Sequence, residues 1–375
     1  MHTLRLAMTG TAVMFGAAMV HAASMDGLIN TVKAVGPEGK GNEDAIRAVR
    51  ELSGGSASTL LPLLKAMDDA NPLAANWLRG AFEAIADREV NGRGQLPAAE
   101  LEAFVVDTSH DPHARRLAYE WLLKVDPSLA DRLIPKMLLD PGADFRRDAV
   151  QRLIDQAAAL QAREEQDAAV KLYRNALRGA TDDDQVQAIV KPLKELGETV
   201  DLQKHFGFIV RWKLIGPFDN RDLAGYDAVY PPEEKLDFGA KYSGKDGMEV
   251  TWTDFRTEDD YGVVDLRKAL APHKGAVTYA AAEFVVERPQ TVELRLGTPN
   301  AWKLWVNGKL AFARDEYHRG TQLDQYRVPV KLLAGKNAIL LKVCQNEQTE
   351  DWAQDWKFQL RVSDSSGAAV EAAGG

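Results

Sequence analysis

The chain is 375 residues long and carries 46 Lys plus Arg against 55 Asp plus Glu, a formal net charge of −9. Its 45% hydrophobic and 27% charged content excludes a disordered chain, and the length suggests two domains at roughly 100 to 200 residues each. The acidic balance argues against binding nucleic acid or anionic lipid, which need a basic patch, and Cys344 as the single cysteine excludes an intramolecular disulfide.

At the N-terminus Arg5 supplies a positive start, Leu6 to Val20 form an apolar run, and Val20-His21-Ala22 offers small residues for cleavage. This pattern predicts a signal peptide over 1–22, cut after Ala22, and hence an exported protein, periplasmic or secreted. The alternative is an uncleaved anchor. The run is shorter than the roughly 20 residues a spanning helix needs, and it contains Gly10 and Gly16. Cleavage removes Arg5 and no acid, leaving a net charge of −10. No later segment is apolar enough to span a membrane.

Residues 23–204 read as helix after helix. Ala114, Leu117, Ala118, Trp121 and Leu122 gather on one helical face while Arg115, Arg116 and Glu120 are expected to point away. Ala169, Leu172, Tyr173, Ala176 and Leu177 repeat the spacing, and Val186, Ile189, Val190 and Leu193 give the next helix its stripe. The turn Asp111-Pro112-His113-Ala114-Arg115-Arg116 is echoed by Asp140-Pro141 with Arg146-Arg147, and more loosely by Asn71-Pro72. Asp or Asn caps the coming helix, and Pro is tolerated in its first turn.

Near residue 205 the period changes to two, and residues 205–362 read as antiparallel strands. Thr291 to Leu296 alternates Val292, Leu294 and Leu296 with Glu293 and Arg295, so one face is expected buried and the other wet. Gln325 to Val330, Ala338 to Val343 and Lys357 to Val362 behave likewise. Asn307-Gly308 is a hairpin signal because both residues tolerate positive φ. Ala334-Gly335-Lys336-Asn337 is the next turn, and Leu266 to Leu270 is the short helical candidate. Without long crossover helices, the strands predict a sandwich or jelly roll. Trp212 to Phe218 reads as a strand ending in a Gly-Pro turn. Residues 363–375 read as a flexible tail.

The repeat spacing and the D-P-x-x-R-R-x-A turn resemble HEAT repeats, members of the armadillo-type helical folds, while the last pair, Gln166 to Leu196, equally resembles tetratricopeptide repeats; either resemblance implies an α-helical solenoid that binds protein or peptide. Asn300 to Lys309, with its A-x-x-W-V-N-G-type hairpin, resembles the sugar-binding, galactose-binding-like domain of family 2 glycoside hydrolases. Leu333 to Val343 is similar to that fold's L-x-x-G-x-N-x-L strand pair. The resemblance implies a galactose-binding-like antiparallel β-sandwich after the solenoid, an accessory piece without its catalytic barrel. Trp212-Lys213-Leu214-Ile215-Gly216-Pro217-Phe218 resembles a segment of exported repeat proteins from planctomycete-type bacteria.

Among the aromatic residues Trp302, Trp305, Tyr317, Tyr326, Trp352 and Trp356, some could offer flat faces to a sugar ring. Trp302 and Trp356 have the competing reading of core residues, and Arg319 with Asp324 that of a loop-fixing ion pair. Two long polar loops, Arg314 to Gln325 and Gln345 to Asp355, are where binding residues collect if they meet. The candidate ligand-binding residues are therefore Trp305, Asn307, Arg314, Tyr317, His318, Arg319, Asp324, Gln345, Asn346 and Trp352. No catalytic residue, cofactor or metal is expected: His110-Asp111-Pro112-His113 reads as a capped turn, and Asp182-Asp183-Asp184 as acids at a helix N-terminus. The expectation is a non-catalytic protein whose sandwich binds carbohydrate and whose solenoid binds a protein partner. Its rival is a structural protein whose sandwich caps the solenoid and binds no sugar.

Overall fold

The computed structural model describes residues 24–92 and 95–373; the signal-peptide expectation, residues 1–22, lies outside the described residues. The chain divides into two compact units, the first running to Ala130 and the second starting at Asp131. An N-terminal helical region is followed by an antiparallel, sheet-rich C-terminal region, as the change of period predicts.

The first unit holds α1 (Met25–Lys33), α2 (Asn42–Ser53), α3 (Leu60–Ala66), α4 (Pro72–Asn91), α5 (Ala98–Val106) and α6 (Pro112–Val125), with α7 (Leu129–Leu133) beginning at its end. The caps act as the sequence predicts: Asn71 accepts from Leu73 and Ala74, and Asp111 from His113 and Ala114, each with Pro next in line. A cap of this kind contributes about 1 kcal/mol. Ala114, Leu117, Ala118, Trp121 and Leu122 are buried as a stripe. Arg115 does not point away as expected. It is fully buried, and its Nε donates to the Val105 carbonyl at the C-terminal end of α5, 2.8 Å away.

The second unit opens with α8 (Ala143–Gln161), α9 (Gln166–Gly179), α10 (Asp183–Glu195) and α11 (Leu202–Phe206). Val186, Ile189, Val190 and Leu193 are buried against Ala169, Tyr173 and Ala176. Arg146 stands where Arg115 stands in the earlier turn and is used the same way, its Nε donating to the Asp140 carbonyl at 2.9 Å. Exposed Arg147, the second arginine of the pair, reaches Asp182 and Asp184 instead.

The strands of this unit are β1 (Arg211–Asp219), β2 (Lys241–Ser243), β3 (Glu249–Thr251), β4 (Thr253–Arg256), β5 (Val264–Asp265), β6 (Ala276–Val286), β7 (Gln290–Gly297), β8 (Ala301–Val306), β9 (Lys309–Arg314), β10 (Tyr326–Leu332), β11 (Gly335–Gln345) and β12 (Lys357–Ser363), with the short helices α12 (Pro231–Glu234) and α13 (Leu266–Ala269) between them. A six-stranded sheet, β4-β1-β6-β11-β8-β9, and a four-stranded sheet, β10-β7-β12-β5, share one core. Trp212, Leu214, Phe284, Leu294, Trp302, Leu341, Trp356 and Leu360 fill it, so Trp302 and Trp356 are core residues. β1 does not end at the Gly-Pro pair: it passes a register shift between Ile215 and Phe218, across a cis Gly216-Pro217 bond, and runs on to Asp219.

The outer face of the six-stranded sheet is also covered along part of its length. Val277, Tyr279 and Ala281 of β6 alternate with inward-facing Ala276 and Ala280, and Tyr226, Tyr230, Tyr242 and Trp252 lie over that outer row. The cover is latched by Lys342, fully buried on β11, whose Nζ donates to the carbonyls of Tyr226 and Ala228 and to Glu233 at 2.7 to 3.0 Å. Tyr279 donates its hydroxyl to the same carboxylate.

The face of β7 that carries Glu293 and Arg295 is likewise not wet. Arg295 is buried and bridges Glu293 and Asp324, and Arg361 beside it binds Asp324 and the carbonyls of Phe206 and Gly367. The residues read as a tail carry hydrogen bonds, Val370 to Val362 and Ala373 to Val285.

Candidate functional site

The hairpin signal Asn307-Gly308 forms the β8–β9 turn with φ of 53° and 75°. β8 pairs antiparallel with both β9 and β11, with Trp302 opposite Arg314 and Ala301 opposite Cys344. The chain after β9 and the chain after β11 therefore leave the sheet at one end. Asn307 lies at the other end, five residue steps along β8, about 17 Å at 3.3 Å per step.

At that common end the two long loops meet. His318 sits at a φ of 60°, unusual for a residue with a side chain, and its amide donates to the Pro299 carbonyl at 2.6 Å. This turns the imidazole toward the second loop. The Asn346 side-chain amide nitrogen lies 2.8 Å from its Nε2. Trp352 and the imidazole form a T-shaped pair, with centroids 4.9 Å apart and an 81° interplanar angle, yet Trp352 remains 63% exposed.

The platform beneath is built from buried amides. Gln345 Oε1 accepts from Asn300 and from the Asn346 backbone, while its Nε2 donates to the Ala353 carbonyl at 3.1 Å. Asn220 donates to the Gln345 carbonyl and to the Tyr317 hydroxyl at 2.9 and 3.2 Å. Burial pushes the Tyr317 hydroxyl well above the ordinary tyrosine range, keeping it a neutral donor. Gln348 accepts from Asn346 at 2.7 Å, and Glu347 accepts from the Asp222 backbone.

Of the candidate residues, the structure brings together Tyr317, His318, Gln345, Asn346 and Trp352. Trp305 is buried on the outer face of the six-stranded sheet, in the cluster against which Tyr317 packs. Asn307 faces Asn337 and the Ala338 amide across the far turn at 2.9 Å. Arg314 lies over the Phe312 ring, 5.7 Å from its centroid. The expected loop-fixing Arg319–Asp324 ion pair does not form: Arg319 approaches Glu316 at 3.4 Å, and Asp324 holds Arg295 and Arg361. Sequence reasoning missed Asn220, Asn300 and Gln348. Asn220 lies in no strand or long loop, so nothing local marks it.

The cluster presents an exposed indole with a fringe of amide, imidazole and carboxylate groups, suited to stacking on a ring and bonding hydroxyls at its edge. Among the described residues no group of three or more His, Cys, Asp and Glu could hold a metal ion, and no helix is long and apolar enough to cross a membrane.

No family model and no curated protein matches the chain. Among solved structures it is similar to a family 35 carbohydrate binding module from Clostridium thermocellum, with 17% identity over 23% of this chain and 78% of that one, at a TM-score of 0.16. A beta-glucosidase from Kluyveromyces marxianus gives 11% identity over 46% of this chain and 21% of that one, at 0.26. An alkylpurine DNA glycosylase from Pseudomonas fluorescens, bound to DNA containing an abasic site analog, gives 13% identity over 93% and 85%, at 0.19. The chain spans about a fifth of the beta-glucosidase's own length. At these scores the likenesses assign neither fold nor ligand.

Proposed function

We propose that this chain is an exported, non-catalytic binding protein whose two-sheet region takes carbohydrate through the loops at the His318 end. The sheets are read as a galactose-binding-like jelly roll, and the helices as HEAT-like repeats that offer a surface to a protein partner. One observation carries the carbohydrate reading: Trp352 is 63% exposed while its ring is held in a T-shaped contact with His318. A large ring held rigid and open beside amide donors and acceptors is the arrangement that binds a sugar face at low entropic cost. The polar groups of the cluster are held in each other's hydrogen bonds, which suits positioning hydroxyls rather than a covalent step.

Titrating the protein against a panel of oligo- and polysaccharides tests the reading. Binding that Trp352→Ala removes supports it, and no binding to any glycan at millimolar concentration sinks it.

The rival reading, a structural role for the sheets, is favoured by the contacts inside the second unit. Arg361 donates to the Phe206 carbonyl at 3.1 Å, and Tyr261 bonds Asp183 and Gln187 of α10. It predicts that residues 25–202 expressed alone aggregate, whereas a soluble fragment that melts cooperatively counts against it.

A further inference from the structure

The cover over the outer face of the six-stranded sheet stops short of one end. Where it stops, a groove of about 750 Å³ opens over β4, β1, β6 and β11. Its floor is small because Ala281 and Ala338 stand where larger residues would fill the space. One wall is Phe238, 47% exposed, held edge-to-face against Trp252 at 5.1 Å.

The groove differs in charge from the rest of the molecule. Arg211, Lys213 and Arg256 line it against Asp254 and Glu283, a formal excess of one positive charge in a chain of net charge −9. The cross-strand pair Lys213–Asp254, at 2.6 Å, offers donor and acceptor side by side. Glu283 is met by Lys336 at 2.9 Å and Arg256 by Glu258 at 3.0 Å, and Arg211, paired opposite Arg256 across the strands, forms no ion pair among the described residues.

We infer that this groove is a second binding site, for an acidic saccharide chain. A sugar's apolar face would lie on Phe238, its hydroxyls would share the Lys213–Asp254 pair, and its anionic group would meet Arg211. The volume fits a short oligosaccharide. A guanidinium binds carboxylate or sulfate in a bidentate fork, so either source of charge satisfies the chemistry. The mixed donors and acceptors along the floor favour a hydroxyl-rich chain over an acidic peptide, which would need the open edge of β4 instead. The inference shares the carbohydrate reading of the loop site but uses different residues, so each can fail alone.

The test is calorimetric titration of the full chain with oligogalacturonate, its neutral methyl ester, a sulfated oligosaccharide and a poly-glutamate peptide, at low and high salt. We expect an acidic sugar to bind, with affinity falling at high salt, and the methyl ester to bind about tenfold more weakly, the loss of one charge-assisted hydrogen bond. Phe238→Ala and Arg211→Ala should each weaken the acidic sugar by about the same factor; the melting temperature should be unchanged for exposed Arg211 and fall by a few degrees at most for Phe238, which loses its contact with Trp252. Trp352→Ala should leave this binding intact. Equal affinity for acid and ester, tighter binding of the peptide, no binding of either acidic sugar, or indifference to both groove substitutions would overturn the assignment. Binding lost only with Trp352→Ala would overturn it too, while leaving the loop site standing.

Discussion

Replacing Asp324 by Asn should destabilise the sheet region more than any surface change. Asp324 lies among Arg295 and Arg361, whose side chains are 4% and 1% exposed, with oxygen-to-nitrogen distances of 2.6 Å to each. Arg295 keeps Glu293 at 2.7 Å when Asp324 loses its charge, but Arg361 keeps only neutral acceptors, the carbonyls of Phe206 and Gly367 among them. Removing one partner of a buried pair costs about 3 to 5 kcal/mol, and Asn, which retains shape and tolerates the φ of 58° found here, belongs at the lower end, about 3 kcal/mol. For a unit of this size that corresponds to a fall of about 6 to 12 °C in melting temperature. The assay is thermal unfolding followed by circular dichroism, with Glu316→Gln as a control, since the exposed Arg319–Glu316 pair is worth at most about 1 kcal/mol.

The pH dependence has a definite sign. Burial alone would raise the Asp324 carboxyl, but Arg361 and then Arg295 outweigh it and hold it below the usual carboxylate range. The unfolded chain then takes up this proton more readily than the folded one. The contribution is complete above the unfolded value of about 3.9 and is lost as pH falls through the lower folded value. Asp324→Asn should flatten that part of the acid-stability curve. A variant that melts within about 2 °C of the parent at neutral pH would refute the reasoning.

Trp352→Ala should change stability by no more than about 0.5 kcal/mol, because the ring is mostly in water, while abolishing the glycan binding proposed for the loops; paired melting and titration curves check both. Lys342→Met should cost about 3 kcal/mol in urea unfolding by leaving the Glu233 carboxylate under the cover with the Tyr279 hydroxyl but without its cation, and adding Glu233→Gln should recover part of the loss, a coupling that a double-mutant cycle measures. Burial pushes the Cys344 thiol up to about 12, so the native protein should resist maleimide at neutral pH and label only when unfolded.

What the sequence made legible was what apolar spacing and turn chemistry carry. The stripes of α6, α9 and α10, the Asn71 and Asp111 caps, the Asn307-Gly308 hairpin and the strands around Leu294, Val328, Ile339 and Leu360 all follow from local rules. What it hid was buried charge. Arg115, Arg295 and Lys342 read as solvent-facing because periodicity counts aliphatic residues, and nothing local shows that a carbonyl or carboxylate from a distant segment will meet them. The convergence of His318 with Asn346 was legible as a condition, two polar loops at one end, but its supports Asn220 and Asn300 depend on pairings more than forty residues apart.

The Arg361–Phe206 contact bears on how the sheets can be isolated. A truncation placed where helix gives way to strand, near residue 205, would cut next to a carbonyl that accepts a hydrogen bond from a buried guanidinium and would strip Tyr261 of Asp183 and Gln187. An autonomous piece containing the sheets should therefore begin well upstream, before α7, and one cut near residue 205 should need a compensating change at Arg361.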